Sequence, residues 1–367
     1  MGIKQIEVYS VSLRYAEPFT IAAGTSSEAN NVVVKVLTDY EAVGWGESSP
    51  SKRVTGETAE TVLRALDRMA PMLVGKCPLR IEDDLEIMDS TVAGNPAAKA
   101  AIDMALHDIL GQTARKPLFR LIGGYRTEVL TDVTLSIKPP EQMAKDAQKA
   151  GKAGFKALKI KVGLNPTEDV LRVRLIREAA GGETQLRVDA NEGWTPEQAI
   201  EALGKMDEYD VQFAEQPVPA GNIEGLRKVR KGSPIPIMAD ESVHSPEDAL
   251  RLIRADAVDL INIKLMKCGG ILKARKIAAV AEAAGIPCMI GCMGESEIGI
   301  AAATHLAAAV KNIRYADLDS DLLLGDKLVK KGGTEIKNSM RTFPKRFGLG
   351  IEEIDCNLLG KPRKVFR

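Results

Sequence analysis

The sequence predicts a closed parallel βα barrel preceded by a separate α+β unit, and two observations carry that prediction. Residues 129–325 alternate short apolar strand signals with amphipathic helical ones, eight strands with seven helices between them. Five charged residues, Lys161, Asp189, Glu215, Asp240 and Lys264, each close one of those apolar runs, at steps of 28, 26, 25 and 24 residues. One strand, one helix and two loops consume about that many residues. An open doubly wound sheet concentrates its site at one switch point, so charge at five or more strand ends favours the barrel.

Taken in order, residues 1–125 lack the repeat. Strand candidates IKQIEVYSVSL and NNVVVKVLT are followed by helices near TAETVLRALDRMAPMLV and NPAAKAAIDMALHDILGQTA. The repeat then begins with VLTDVTLSI (129–137), FKALKIKV (155–162), QLRVD (185–189) and VQFAE (211–215). It continues with IPIMADE (235–241), VDLINIK (258–264), IPCMI (286–290) and IRYAD (313–317). Val, Ile and Phe dominate these runs, and Gly, Pro or Asp flank most of them. Between them, Thr195-Pro196-Glu197 and Ser245-Pro246-Glu247 read as N-caps with Pro in the first helical position. From about residue 326 the repeat is lost again, and the tail is expected to fold back on the first unit or to close the barrel.

Bulk properties exclude several classes. The 367 residues are 45% hydrophobic and 27% charged, as in an ordinary globular protein. Fifty Lys+Arg balance fifty Asp+Glu, so nothing draws the chain to nucleic acid or an anionic membrane. Charge interrupts every apolar stretch before a membrane span is reached. MGIKQIEVYS reads as a strand, not a signal peptide. Five scattered cysteines suggest reduced thiols and a cytoplasmic location, and Cys288 and Cys292 read as core residues rather than a zinc pair. No GxSxG, GxGxxG or Walker A occurs.

The chemistry lies in the strand-end charges. Buried carboxylates are costly unless paired or metal-bound. Asp189, Glu215 and Asp240 in register supply three hard oxygen ligands, which suit Mg²⁺. Lys159 and Lys161 share one face of their strand by alternation, the barrel interior. Mutual repulsion is expected to lower the pKa of at least one and make it a usable base. Lys264 approaches from across the barrel, whereas Lys267, in the following loop, is expected to be solvated. Asp317 and Asp319 form a DLD that offers two acids on one face to a cationic group, with Asp321 two residues on. Glu295, in GCMGES, is a candidate for either the site or a helix cap. His107 and His305 are expected to be packing residues.

Together KIK (159–161), VDANEGW (188–194), FAEQP (213–217), MADES (238–242) and NIKLMKCGG (262–270) resemble the enolase superfamily, within it the muconate lactonizing enzyme subgroup. The resemblance spans essentially the whole chain, through GWGESSP, VTGET and LIGGYR. It implies a modified (β/α)7β TIM-like barrel (126–325), an α+β capping domain with a substrate-covering loop (1–125), and a C-terminal segment (326–367) packed on the cap. It implies Mg²⁺ held by Asp189, Glu215 and Asp240, with Lys161 and Lys264 as opposed acid/bases and Lys159 tuning Lys161 and holding the substrate carboxylate. The DLD at Asp317 and Asp319 resembles the dipeptide epimerases, where such a pair binds the substrate's α-ammonium. A small-molecule dipeptide is then the partner, and a homo-oligomer the expected assembly. An N-acylamino-acid racemase, an o-succinylbenzoate synthase or a cycloisomerase is the alternative, and a non-catalytic binding barrel a more distant one. The stretch Phe19–Asn31 matches the flexible covering loop. It has no Arg or Lys, and Gly24 stands near the place where relatives specific for Ala-Glu carry an Arg. An unpaired glutamate in a closed site is costly, so apolar dipeptides (through Phe19 and Ile21) or cationic ones (through Glu28) are expected to be favoured over Ala-Glu.

Overall fold

Alternating burial builds the first unit of this computed structural model, which describes all 367 residues. Strands β1 (Ile3–Ile21), β2 (Gly24–Thr38) and β3 (Val43–Ser48) form an antiparallel meander. Ile6, Val8, Val32, Val34 and Val36 pack under helices α1 (Ala59–Leu73), α2 (Ile81–Thr91) and α3 (Pro96–Thr113). Gly44 and Gly46 let β3 lie flush on α3: a Cβ on Gly46 would stand 1.8 Å from the Ala101 carbonyl oxygen. The expected flexible loop at Phe19–Asn31 is instead the end of the β1–β2 hairpin, paired Phe19↔Ser26, Thr20↔Thr25 and Ile21↔Gly24. It docks on the barrel where Thr20 N–H donates to Ser136 Oγ at 2.7 Å and Ile137 N–H to Thr20 O at 2.9 Å.

After a short helix α4 (Leu118–Leu121), the apolar run at 129–137 is two strands rather than one. β4 (Glu128–Leu130) is antiparallel to a later hairpin, and β5 (Val133–Leu135) opens the barrel. Thr131 and Asp132 break the run, and both are fully buried. The barrel proceeds through α5 (Pro140–Lys152), β6 (Ala157–Lys161), α6 (Pro166–Ala180), β7 (Gln185–Asp189), α7 (Pro196–Met206), β8 (Val211–Glu215), α8 (Ile223–Gly232) and β9 (Ile237–Ala239). It then runs through α9 (Pro246–Arg254), β10 (Leu260–Lys264), one turn α10 (Leu265–Cys268), α11 (Ile271–Ala283), β11 (Cys288–Gly291), α12 (Glu297–Ala309) and β12 (Ile313–Ala316). β5 to β12 are parallel and in sequential order, the modified (β/α)7β arrangement. Instead of a regular ladder, Asp132 N–H donating to Ala316 O at 3.3 Å brings the first and last strands together. Thr195 and Ser245 cap α7 and α9 through their hydroxyls. No helix is long and apolar enough to cross a membrane.

The tail supplies α13 (Ser320–Leu323), β13 (Val329–Gly332), β14 (Glu335–Lys337), β15 (Met340–Thr342), β16 (Ile351–Ile354), α14 (Cys356–Leu359) and β17 (Lys364–Phe366). β17 extends the first sheet beside β1, while β15 pairs with β4 at the barrel. Asp321 belongs to this packing, held by the buried Arg341 guanidinium at 2.5 and 3.1 Å. His107 and His305 are buried packing residues: His107 Nδ1 meets Asp103 O, and His305 Nδ1 accepts the Phe119 N–H.

Strand alternation sorts the barrel interior into levels. Phe213, Met238, Leu260 and Met289 form an apolar plug, with Tyr315 packed against it. Within that layer lies Arg187, 1% exposed, paired with Asp132 at 2.7 Å and facing the Phe213 and Tyr315 rings. One pleat further along the strands, the side chains become charged.

Candidate active site

Register places these charges side by side. Lys161 is paired with Asp189 and Asp189 with Glu215 across adjacent strands, and Asp240 follows immediately after β9. Lys161 and Lys264 end the second and sixth of eight strands, so they face each other across the barrel. Gly291, beside Lys264 in register, leaves the room this needs: a Cβ there would meet the Asn262 amide at 2.8 Å and Lys264 at 3.0 Å.

The lysines lie on the carboxylates. Lys161 Nζ is 2.6 Å from Asp189 Oδ2, and Lys264 Nζ is 2.7 Å from Asp240 Oδ2. Lys159 Nζ reaches Asp317 at 2.6 Å, Glu215 at 2.8 Å and Asp189 at 3.1 Å. Lys267, expected in solvent, is 1% exposed and donates to the Asp240 carboxylate, the Asp240 carbonyl and, at 3.1 Å, the Asn262 carbonyl. The reason is local: the chain turns from β10 directly into α10, which folds the side chain back under the strand ends.

At Lys159 these contacts outweigh the expected repulsion. Burial would depress Lys159, but Asp317, Glu215 and Asp189 outweigh it and hold the ammonium well above its ordinary pKa. Burial likewise opposes the charge on Asp189, yet Lys161 and Lys159 bring that carboxyl down to about 2. Glu215 is pushed up to about 7 by burial and by Asp189, and Glu241 to about 8 by burial and by Asp240.

Asp317 and Asp319 lie together, with the buried Leu318 between them pointing elsewhere. Lys159 takes Asp317 Oδ2, and the Thr134 N–H takes Asp319 Oδ2 at 2.5 Å. Each Oδ1 keeps only a long contact, from the Thr134 hydroxyl at 3.4 Å and the Cys292 thiol at 3.7 Å. Glu295 is turned away from this group. Its Oε2 takes the Met293 N–H, and it sits by Glu47, so burial and Glu47 raise it to about 8. The α12 N-cap is Ser296, so Glu295 is the residue just before the cap and not the cap itself.

Several participants escaped the sequence reading. The Asn191 amide oxygen is 3.1 Å from Lys161, and its nitrogen donates to Glu241 at 3.0 Å. Asn262 donates to Glu215 at 2.7 Å. Gln216 Oε1 accepts the N–H groups of Asp240 and Ser242. Asn191 and Gln216 hold φ of +41° and +34° just after Asp189 and Glu215, backbone strain concentrated at the site. Asn262 was legible as the inward residue two before Lys264; the other two lie in loops, beyond the reach of alternation. Glu47, from β3, accepts from Asn31 and from the backbone of Ser296 and Gly299, so the first unit caps α12.

Above the charges is a cavity of about 520 Å³, with Lys161, Lys264, Asn191, Glu241 and Cys292 at its floor and Phe19, Ile21 and Gly24 on its hairpin wall. Lys52 and Arg53, from the loop after β3, form part of the facing wall. Glu28 also lines it, but both of its oxygens are engaged, by Ser12 and Asn30.

The residues fit a divalent cation. Six carboxylates (Asp189, Glu215, Asp240, Glu241, Asp317 and Asp319) converge with four lysines, a formal excess of two negative charges when all are ionised. Glu241 Oε2 and Glu215 Oε2 are buried without a hydrogen bond, although Lys159 stands 2.8 Å from the latter. Hard oxygen donors of this kind select Mg²⁺-like ions.

Residues 142–355 match the family model "Enolase C-terminal domain-like", and residues 4–123 match "Mandelate racemase / muconate lactonizing enzyme, N-terminal domain". A hydrophobic dipeptide epimerase of Enterococcus faecalis is 45% identical, over 96% of this chain and 99% of its own. An L-Ala-D/L-Glu epimerase of Clostridium acetobutylicum is 44% identical, over 97% of this chain and 100% of its own. Among solved structures, the Enterococcus faecalis dipeptide epimerase complexed with Mg and L-Leu-L-Tyr superposes with a TM-score of 0.94, at 45% identity over 96% of this chain and 100% of that one. The Cytophaga hutchinsonii dipeptide epimerase complexed with Mg and D-Ala-L-Val gives a TM-score of 0.96, at 38% identity with full coverage of both chains. The chain belongs to the enolase superfamily, in its mandelate racemase/muconate lactonizing enzyme group.

Proposed function

We propose that the chain is a Mg²⁺-dependent dipeptide epimerase that inverts the α-carbon of the second residue. One observation carries this reading: two lysines oppose each other across a barrel mouth whose intervening strands supply three carboxylates. Removing a proton α to a carboxylate creates a dianion, and a metal held by Asp189, Glu215 and Asp240 supplies charge stabilisation for it. Lys159, within reach of Asp189 and Glu215, adds a fixed positive charge at the same level. One of Lys161 and Lys264 takes the proton from one face, and the other returns one to the opposite face. The Oδ1 atoms of Asp317 and Asp319, which keep only long contacts to Thr134 and Cys292, receive the substrate ammonium. Relatives named as hydrophobic dipeptide and Ala-Glu epimerases support the same chemistry.

For specificity, the cavity removes one premise of the sequence expectation. Lys52 and Arg53 bring positive charge to the pocket that the hairpin lacks. Arg53 is partly engaged, 3.6 Å from Glu192 and 3.4 Å from the Asn191 carbonyl. With Glu28 and Glu57 on the same lining, the charge of the pocket is mixed, and Lys52 and Arg53 leave an acidic second side chain accommodated while Phe19 and Ile21 favour an apolar one. The test is incubation with Mg²⁺ and a library of L,L-dipeptides in D₂O, with N-succinyl amino acids as a parallel arm, read by mass spectrometry. Deuterium at the second α-carbon with formation of the L,D product is expected, most rapidly for apolar second residues. Exchange only in the N-succinyl arm, or in neither, would overturn the epimerase reading.

A further inference from the structure

We propose that Lys267 is a positioning residue that acts through Asp240 on Lys264, and so chiefly on one face of the reaction. The inference rests on the epimerase reading above.

Its basis is an asymmetry between the two carboxylates that carry the opposed lysines. Asp189, beneath Lys161, is fixed by backbone: Oδ1 accepts the Asn191 N–H at 2.9 Å. Its Oδ2 faces Lys161 at 2.6 Å and Lys159 at 3.1 Å. Asp240, beneath Lys264, has no such backbone donor on its carboxylate. One oxygen faces Lys264 at 2.7 Å, and Lys267 takes the other while also binding the Asp240 and Asn262 carbonyls. Lys267 therefore does for Asp240 what a main-chain amide does for Asp189: it fixes the rotation of the carboxylate and decides which oxygen is presented to Lys264. The lysine is itself well anchored, 1% exposed on the single turn α10 that leaves the strand bearing Lys264. No step of the proposed proton transfer uses it, and a buried ammonium without a role would be an expensive feature to keep.

Loss of Lys267 frees Asp240 to rotate and misplaces the Lys264 amine, while Lys161, Asp189 and Asn191 stay in place. The overall epimerisation rate cannot show this, because kcat/KM in the two directions is tied to one equilibrium constant. Proton exchange can, since each epimer presents its α-hydrogen to one lysine. The experiment follows loss of the α-proton signal by NMR in D₂O with Mg²⁺, starting separately from each epimer of a dipeptide that the wild-type chain turns over. Lys161→Ala and Lys264→Ala identify which epimer reports on which lysine. Lys267→Met is expected to slow exchange from the Lys264-facing epimer by about 100-fold, the scale of a misplacement near 1 Å, and to slow the other epimer's exchange by less than about 10-fold. Lys267→Arg should restore much of the loss, and Lys267→Gln serves if the Met variant does not fold. Mg²⁺ binding is read in parallel from the thermal shift that the ion produces. Equal losses from both epimers, a loss that disappears at saturating Mg²⁺, or no loss would overturn the inference while leaving the epimerase reading intact. If the wild-type chain exchanged no dipeptide, that reading would fail and this inference with it.

Discussion

Gly46→Ala tests how the first unit is registered on the barrel. The new Cβ would stand 1.8 Å from the Ala101 carbonyl oxygen and 3.0 Å from the Ala105 nitrogen, both main-chain atoms of α3. Ordinary contact begins at 3.4 Å, so β3 and α3 must part by about 1.6 Å. No flexible side chain can yield. Helix α3 is pinned elsewhere, by Asp103 to the Ile271 N–H and by Asp108 to the Trp45 and Leu349 N–H groups. Overpacking against backbone belongs at the upper end of its usual range, about 3 kcal/mol. For a chain of this size that lowers Tm by ~4 °C. Glu47, the next residue, moves with β3 and lets go of the α12 N-terminus beside Met293 and Gly294, so kcat/KM for the dipeptide should fall by up to about 100-fold. The control is Gly204→Ala in α7, where the added methyl meets nothing within 4 Å and helix propensity should add about 0.5–1 kcal/mol. Thermal melts of the two variants decide the matter: a Gly46→Ala midpoint within about 1 °C of wild type would refute the close-approach argument.

Asp319→Asn should lower kcat/KM for dipeptides with a free ammonium by about 10–100-fold, the worth of one charged hydrogen bond, and spare N-acetylated substrates; steady-state kinetics on the pair checks this. Burial pushes the Cys268 and Cys288 thiols up to about 12 and leaves Cys356 exposed, so iodoacetamide at neutral pH should label Cys356 first and those two only after denaturation, by peptide mass mapping. Burial and the neighbouring Glu47 push the Glu295 carboxyl up to about 8 from an ordinary 4.5. The folded state then holds a proton that the unfolded chain has released, and the stabilisation present below pH 4.5 is lost as pH rises through 8. Glu295→Gln should flatten that part of a Tm-versus-pH curve, and an unchanged slope would count against the assignment.

The repeat was legible because β6, β7, β8 and β10 end on a charge and Asp240 follows β9 directly: QLRVD and VQFAE coincide with β7 and β8 to the residue. The split of 129–137 into β4 and β5 was hidden because Thr131 and Asp132 are short, buried polar residues inside an otherwise apolar run, and only tertiary pairing separates the halves. Within the site, residues on strands obeyed alternation and could be placed. Lys267, Asn191 and Gln216 could not, because their directions are set by a helical turn and by positive-φ loops. Lys52 and Arg53 lie more than 100 residues from Lys161. Only folding shows that they share its cavity.

Arg187 closes the barrel beneath the charged level, clamped between two rings and neutralised by Asp132. A reactant therefore has a single doorway, on the side where Thr20 is latched to Ser136 and Ile137. An epimerase yields a product of nearly the same size and polarity as its reactant, and both use that doorway in turn. Product also competes for the doorway as soon as it accumulates, so net flux in one direction depends on whatever removes the product outside.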